Sequence, residues 1–352
     1  MRAVFFWEAA GLSLDQANPY GGLLARALAD VGVEMVAGYD EQLNEQWLRA
    51  NRATVDVLHL NWPHYMYFAA DLADSVTRCA AFISNLALAR ALGYKIVWTV
   101  HNLYPHDRVH FSLDRLARLA LTQLTTAIIT HCEYARTLVQ QHFHCTDNVF
   151  VIPHGHFIDV YPNTISRSAA RRRLGIATDQ FVYLFFGNVR AYKGLENLLE
   201  TFVRLPGEQQ TLLLAAKVYN DYGDQFVEHA RQTDSRIIVA PSRFFANDAF
   251  QLYFKAADVG VFPFLDVLTS GSTITALSFG LPVIVPAVGC LPELVDERVG
   301  ICYDQQQPDA LYTAMRAIQQ RDLRTISQAA YQRAQALDWS TIARLTLAAY
   351  CA

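Results

Sequence analysis

Short apolar runs alternate with stretches of helical spacing along nearly the whole chain. In the first half, Val4–Trp7, Val33–Val36, Val55–Leu60, Lys95–Val100, Ala127–Thr130 and Val149–Ile152 have the length and β-branched content of strands. Between them, Gly22–Val31, Ser75–Leu92 and Leu113–Leu124 read as helices. Several strands are apolar throughout, as expected when helices cover both faces of a parallel sheet. Around Tyr161–Ser168 the rhythm breaks at Pro162 and Asn163, which suggests a linker. It then restarts: strand Phe181–Phe186, helix Gly194–Arg204, strand Thr211–Ala216, helix Gln225–Gln232 and strand Arg236–Val239. Helix Ala246–Ala257, strand Val259–Phe262, helix Ser272–Phe279 and strand Val283–Pro286 follow, with Gly280-Leu281-Pro282 as a helix stop. This pattern predicts an α/β protein with two doubly wound, Rossmann-like domains, residues 1–165 and 166–335, and a cleft between them.

Composition narrows the classes. Hydrophobic residues make up 52% and charged residues 18%, which suits a packed enzyme rather than a disordered chain. The net charge of -4, with the acidic excess in residues 1–165, gives no footprint for nucleic acid. None of the six cysteines forms a C-x-x-C pair, so buried free thiols in a reducing cytoplasm are expected. The opening Met1–Trp7 reads as a strand rather than a signal peptide, and no apolar run is long enough to span a bilayer. A cytoplasmic location follows from that reading. Ser75–Leu92 is apolar on most faces; burial is the main reading, and peripheral contact with the inner face of a membrane is the minor one. Arg167 with Arg171–Arg173 reads as a solvated helix face.

Two segments carry anion chemistry. In Phe185-Phe186-Gly187-Asn188-Val189-Arg190-Ala191-Tyr192-Lys193-Gly194-Leu195, a strand runs through a two-glycine loop bearing two cations into a helix. A helix N-terminus offers free N–H groups and positive dipole, Arg grips phosphate as a fork, and Lys supplies a point charge. Taken alone, that diphosphate reading and an ordinary solvated loop stand even. Asp266–Pro282 supplies a second strand-loop-helix unit, whose Thr269-Ser270-Gly271-Ser272 turn could cradle an anion or simply cap the helix.

These segments resemble the nucleotide-sugar-binding domain of GT-B glycosyltransferases, most nearly family 4. Phe186–Leu195 is similar to that family's G-x-[IVL]-x-x-x-K-G loop, and Thr269–Pro286 to its block of two glutamates followed by A-L-x-x-G-x-P-V-I. The glutamates themselves are missing: their positions fall at Thr275 and near Val267, with Asp266 one residue away. The resemblance implies a GT-B fold and metal-independent transfer of a UDP- or GDP-linked hexose to a glycan or glycolipid hydroxyl, with no bound cofactor. It implies retention of configuration, with inversion as the alternative given the missing glutamates. It also implies that residues 336–352 form a helix crossing back to the first domain.

Site residues follow residue by residue. Arg190 and Lys193 would neutralise the leaving diphosphate, and His101, at the family's V-H position, would orient the donor sugar. Gly187, Asp266, Thr269, Ser270, Gly271 and Ser272 would line the donor site, with Thr275 or Glu293 on the ribose. Gly21 and Gly22 match the glycine loop placed against donor and acceptor, although a tight turn explains them equally. His154 replaces the Asn of I-P-N-G, with site-lining and hinge roles in balance. His59, Asn61, Trp62 and His64 form an aromatic-polar mixture suited to stacking an acceptor sugar, while His106 reads as a loop-stabilising residue beside Asp107. An inverting enzyme would need a base, for which Asp15, Glu8 and His64 are candidates. Rivals are a non-catalytic two-lobe sugar or nucleotide binder and a GT-B epimerase or phosphorylase.

Overall fold

The computed structural model describes residues 1–7, 11–15, 18–105, 109–145 and 147–352. They form two compact units: Met1–Gly155 with Asp338–Ala352, and His156–Leu337.

The first unit holds the parallel strands β1 (Arg2–Phe6), β2 (Glu34–Gly38), β3 (Val57–Leu60), β4 (Lys95–Thr99), β5 (Ala127–Thr130) and β6 (Val149–Val151). Their order is β2-β1-β3-β4-β5-β6, so the direction of winding reverses between β1 and β3. Such a reversal opens a crevice beyond the carboxyl ends of the strands. Helices α1 (Tyr20–Ala29), α2 (Glu45–Asn51), α3 (Leu72–Ala91), α4 (Phe111–Leu124) and α5 (Glu133–Phe143) connect them. Helix α3 buries Ser75, Cys79, Phe82, Leu86 and Ala89, a stripe at three- and four-residue spacing, and exposes its other face. It is therefore a one-sided surface helix rather than an all-round apolar one. No helix among the described residues is long and apolar enough to cross a membrane.

The second unit repeats the plan with α6 (Arg167–Arg173), β7 (Phe181–Asn188), α7 (Leu195–Val203), β8 (Gln210–Lys217), α8 (Asp221–Thr233), β9 (Ile237–Ser242), α9 (Asn247–Ala256), β10 (Val259–Val261), α10 (Gly271–Ser278), β11 (Val283–Pro286), α11 (Leu291–Leu294), β12 (Gly300–Tyr303), α12 (Ala310–Ile318) and α13 (Leu323–Gln335). The strand order is β12-β11-β10-β7-β8-β9, and winding reverses between β7 and β10. The central strands β7 and β8 are almost continuously buried, which explains their unbroken apolar sequence.

Two expectations shift. Tyr161–Ser168 lies inside the second unit: Tyr161 stacks on Phe250 at 4.0 Å, Ser166 caps α6, and Gln251 accepts from the Thr164 and Ile165 amides. The segment lacks regular structure because its backbone donors bind side chains. Arg171 is not solvated. It is 1% exposed, pairs with Asp258 at 2.7 Å and donates to the carbonyls of Ala256, Thr178 and Gln180. A buried guanidinium is tolerated only when its donors are satisfied in this way.

The last helix, α14 (Trp339–Cys351), packs on α1 in the first unit. Asp338 caps it by accepting from the Ser340 and Thr341 amides. Cys79 and Cys145 are buried free thiols, Cys302 is half-buried and Cys351 exposed; Cys132 and Cys290 are not among the free thiols.

Candidate functional site

The second sheet prepares its carboxyl edge for an anion. The penultimate residue of β7 is Gly187 at φ 148, a backbone conformation that glycine adopts easily. A Cβ there would lie 3.2 Å from Ser272 Oγ, so the β7 loop and the start of α10 meet at this point. The chain then makes a short 3-10 turn, Ala191–Lys193, and enters α7 through Gly194 at φ 67. Gly194 is required twice over, because a Cβ would come within 2.1 Å of the Pro263 carbonyl oxygen. No side chain caps α7, which leaves its first N–H groups without a side-chain acceptor, although Glu196 stands in its first turn.

Both cations stand at this bend. The Arg190 and Lys193 side chains make no ion pair or hydrogen bond with any described residue. Lys193 Nζ instead lies 4.4 Å from the Phe264 ring centre and 5.0 Å from that of Tyr192. Apolar surroundings lower its pKa to about 8, because burial penalises the charged form. A cation held against rings without a counter-ion is a prepared partner for phosphate.

Lys217, which its sequence context alone did not single out, ends β8 opposite Asn188. Its Nζ lies 5.1 Å from the Tyr219 ring centre and 5.5 Å from that of Phe244, with no acidic partner among the described residues. The available signal was a cation closing an apolar strand, the same signal Arg190 gives.

Other residues assigned to the donor side divide. Ser270 caps α10, accepting from the Thr273 amide at 3.2 Å, so the simple capping role holds for it. Ser272 is half-buried, and its hydroxyl has no hydrogen-bond partner among the described residues. Thr275 is a poor ribose ligand: it is 5% exposed, and its hydroxyl donates to the Gly271 carbonyl at 2.8 Å. Asp266 and Glu293 are exposed, Thr269 and Gly271 half-buried.

The first sheet ends quite differently. Beyond β3, β4, β5 and β6 come Asn61-Trp62, His101, His131 and His154, with Tyr20 at the head of α1. Their rings form a row: Trp62 stacks on His101 at 4.2 Å and 10°, and His131 lies 5.1 Å from His101 and 5.4 Å from His154. Tyr20 packs beneath His101, His131 and His154. Burial pushes the imidazole of His101 well below its ordinary pKa, that of His131 down to about 4 and that of His154 to about 3. These imidazoles are neutral at pH 7. Among the described residues no group of His, Cys, Asp or Glu is arranged to hold a metal ion.

His59 is not on an acceptor face. It is fully buried, with Nδ1 2.7 Å from the Tyr350 hydroxyl and Nε2 2.7 Å from Thr99 Oγ1, so it joins α14 to the sheet. Gly21 and Gly22 are packing glycines: a Cβ on either would lie within 2.7 Å of the carbonyl oxygen of Gly11 or Leu12. Trp62 and His64 are half-buried, and the Trp62 ring also lies 4.3 Å from that of Trp7. His154 donates from Nδ1 to the Gly155 carbonyl. Asp15 is exposed, whereas Glu8, His106 and Asp107 lie outside the described residues.

Two family models account for most of the chain: "Glycosyltransferase Family 4" over residues 42–159 and "Glycosyl transferases group 1" over residues 180–321. The chain belongs to the group 1, family 4 glycosyltransferases. This glycosyltransferase is 28% identical over 269 residues to a GDP-mannose:glycolipid 4-beta-D-mannosyltransferase of Xanthomonas campestris pv. campestris, covering 76% of this chain and 70% of the relative. It is 30% identical over 229 residues to a D-inositol 3-phosphate glycosyltransferase of Geodermatophilus obscurus, covering 62% of this chain and 50% of that relative. Its fold is that of sucrose-phosphate synthase from Thermosynechococcus elongatus, with a TM-score of 0.80 at 18% identity over 100% of this chain and 98% of that one. An Anabaena protein solved with UDP-glucose has the same fold, with a TM-score of 0.73 at 16% identity over 99% of both chains. The GT-B architecture is thereby established.

Proposed function

We propose that this glycosyltransferase moves a hexosyl group from a UDP- or GDP-linked donor to a hydroxyl of a glycan or glycolipid, without a metal ion. The observation that carries the reading is the pair of cations, Arg190 and Lys193, which have no ion pair or hydrogen bond among the described residues and stand at the bend where α7 begins without a side-chain cap. Breaking the bond between the sugar and the diphosphate leaves negative charge on the leaving group. Fixed donors aimed at developing charge lower the barrier most effectively in a water-poor site. Arg190 would grip two phosphate oxygens as a fork, and Lys193 would bring a charge already stripped of much of its water. Gly187 and Ser272 would let the diphosphate approach the backbone. Trp62 offers a half-buried ring as the acceptor-side face. A lipid-borne acceptor would bring a cytoplasmic enzyme to the inner face of a membrane.

The family resemblance favours retention of configuration, the leaving phosphate taking the acceptor's proton. A second reading, inversion, has two observations behind it. Val267 and Thr275 stand where the family has glutamates, and the similar mannosyltransferase bears a β linkage in its name. Inversion would require a base on the acceptor side, with Asp15 and His64 the described candidates.

The test is a thermal-shift panel of UDP-, GDP- and ADP-sugars followed by turnover with the donor that binds. A donor at about 100 times its Kd stabilises by about 2.7 kcal/mol. No shift with any of them refutes the donor class, and binding without turnover on any sugar acceptor favours a non-catalytic binder. The anomeric configuration of the product decides between retention and inversion.

A further inference from the structure

The row of imidazoles in the first unit fixes where its own protons sit. His131 Nδ1 lies 2.9 Å from the carbonyl oxygen of Ile152, which can only accept, so Nδ1 carries the hydrogen. A neutral His131 then presents a bare Nε2, 3.4 Å from His101 Nδ1, and His101 donates to it. That leaves His101 with a bare Nε2, 3.0 Å from the side-chain amide of Asn61. With the amide oxygen toward His101, two acceptors face each other and Asn61 Nδ2 is buried without a partner. A half-turn of the amide exchanges two groups of nearly the same size and makes Asn61 the donor. The atom then left over is a carbonyl oxygen, the less costly of the two to leave unpaired.

The other way to seat that oxygen is an additional proton, turning His101 or His131 into an imidazolium. The titratable groups facing His101 among the described residues are His131, His154, His59 and Tyr20, and none supplies negative charge at neutral pH. Burial and the neighbouring imidazoles both oppose a cation there. Trp62 lies flat on His101, so the orientation of that imidazole sets the plane of the indole.

We infer that His131 is a positioning residue that locks His101 in its Nδ1–H tautomer and, through it, orients the Asn61 amide and the Trp62 ring. His101 then serves the site as a neutral platform and not as a proton carrier. The functional part of this inference rests on the reading of Trp62 as the acceptor-side face. Neither the Arg190 and Lys193 site nor the donor class depends on it.

The experiment is long-range 1H–15N correlation spectroscopy of imidazoles in the full chain, from about pH 5 to about pH 8, the range in which an ordinary histidine titrates. The wild type is expected to show His101 as the Nδ1–H tautomer across that range. His131→Gln places an amide oxygen near the former Nε2 and is expected to keep the tautomer. His131→Phe keeps a packed ring without an acceptor and is expected to release His101 to a mixture or to the Nε2–H form. A wild-type His101 that titrates within this range, or that shows the Nε2–H form, overturns the inference. So does an unchanged tautomer in His131→Phe. If His131→Phe does not fold, the wild-type and His131→Gln spectra decide alone. Thermal shifts with UDP and GDP on the same samples keep the two readings apart. Absence of nucleotide binding by the wild type would count against the proposed donor and leave the tautomer result standing.

Discussion

Both sheets reverse their winding at one point and present their functional loops beyond the same carboxyl edge, yet the two edges are chemically opposite. In the first unit, rings stack on rings, imidazole nitrogens are hydrogen-bonded, and burial keeps the imidazoles neutral. In the second, glycines bend the backbone at the start of α7, and Lys193 and Lys217 lie over aromatic rings without counter-ions among the described residues. A shared topology therefore fixes where a site forms and leaves its charge to a few loop residues. A preorganised neutral surface suits a sugar, whose recognition depends on stacking and directed hydrogen bonds. Cations without counter-ions suit a diphosphate.

The sharpest way to break this contrast is to remove the charges. Arg190→Ala and Lys193→Ala should each lower turnover by about 100-fold or more, the scale found when a single fixed donor to a developing anion is lost. Their unfolding midpoints should stay near wild type, since neither side chain has an ion pair or hydrogen bond among the described residues to lose and Lys193 gives up only its contacts with the Phe264 and Tyr192 rings. Near-normal turnover in both would remove the second edge from the chemistry.

Acid should act on the first unit. His59 and His154 have folded pKa values of about 3 and His131 of about 4, all below the unfolded value. Between those values and about 6.5 the unfolded chain binds more protons, so stability is full above that range and is lost as pH falls through it. Each such histidine contributes about 1.4 kcal/mol per pH unit within its window. Urea midpoints at descending pH, compared with those of His131→Gln, should show the steeper loss in the wild type. A flat profile would mean that these imidazoles are not held neutral.

The second edge should respond to alkali instead. Lys193 loses its charge near pH 8, so nucleoside diphosphate affinity should be level below that value and weaken by up to about tenfold per pH unit above it. Titration calorimetry with UDP or GDP checks this, and Lys193→Arg should move the break upward. The smallest effect is expected from Ser272→Ala, which removes a single unpartnered hydroxyl beside Gly187 and should weaken donor binding by about 1 kcal/mol. No change would place the diphosphate away from the start of α10.

Much of the framework was legible in the chain. The strand runs predicted for the first half lie close to β1 to β6, because a buried parallel strand must be apolar along its whole length. The loop around Arg190 and Lys193 was visible because glycine, cation and helix start are local features. The segments that misled did so for non-local reasons. Arg171 looks like part of a solvated run until Asp258, far along the chain, is placed beside it. His59 looks like a rim residue until Tyr350 arrives with the last helix. The role of Thr275 changed because its hydroxyl turns back onto its own helix, a rotamer choice that residue type alone does not reveal.

By itself, then, the sequence determined the alternation of elements, the two doubly wound sheets and the local phosphate-type loop, since each depends on spacing of a few residues or on the backbone freedom of glycine. Only the tertiary structure decided which polar groups were already satisfied. It engaged His59, Ser270 and Thr275 in internal hydrogen bonds, aligned His131 with His101, and left Arg190, Lys193 and Lys217 without counter-ions among the described residues. Whether a side chain is free to meet a substrate depends on neighbours drawn from distant parts of the chain, and the fold alone brings them together.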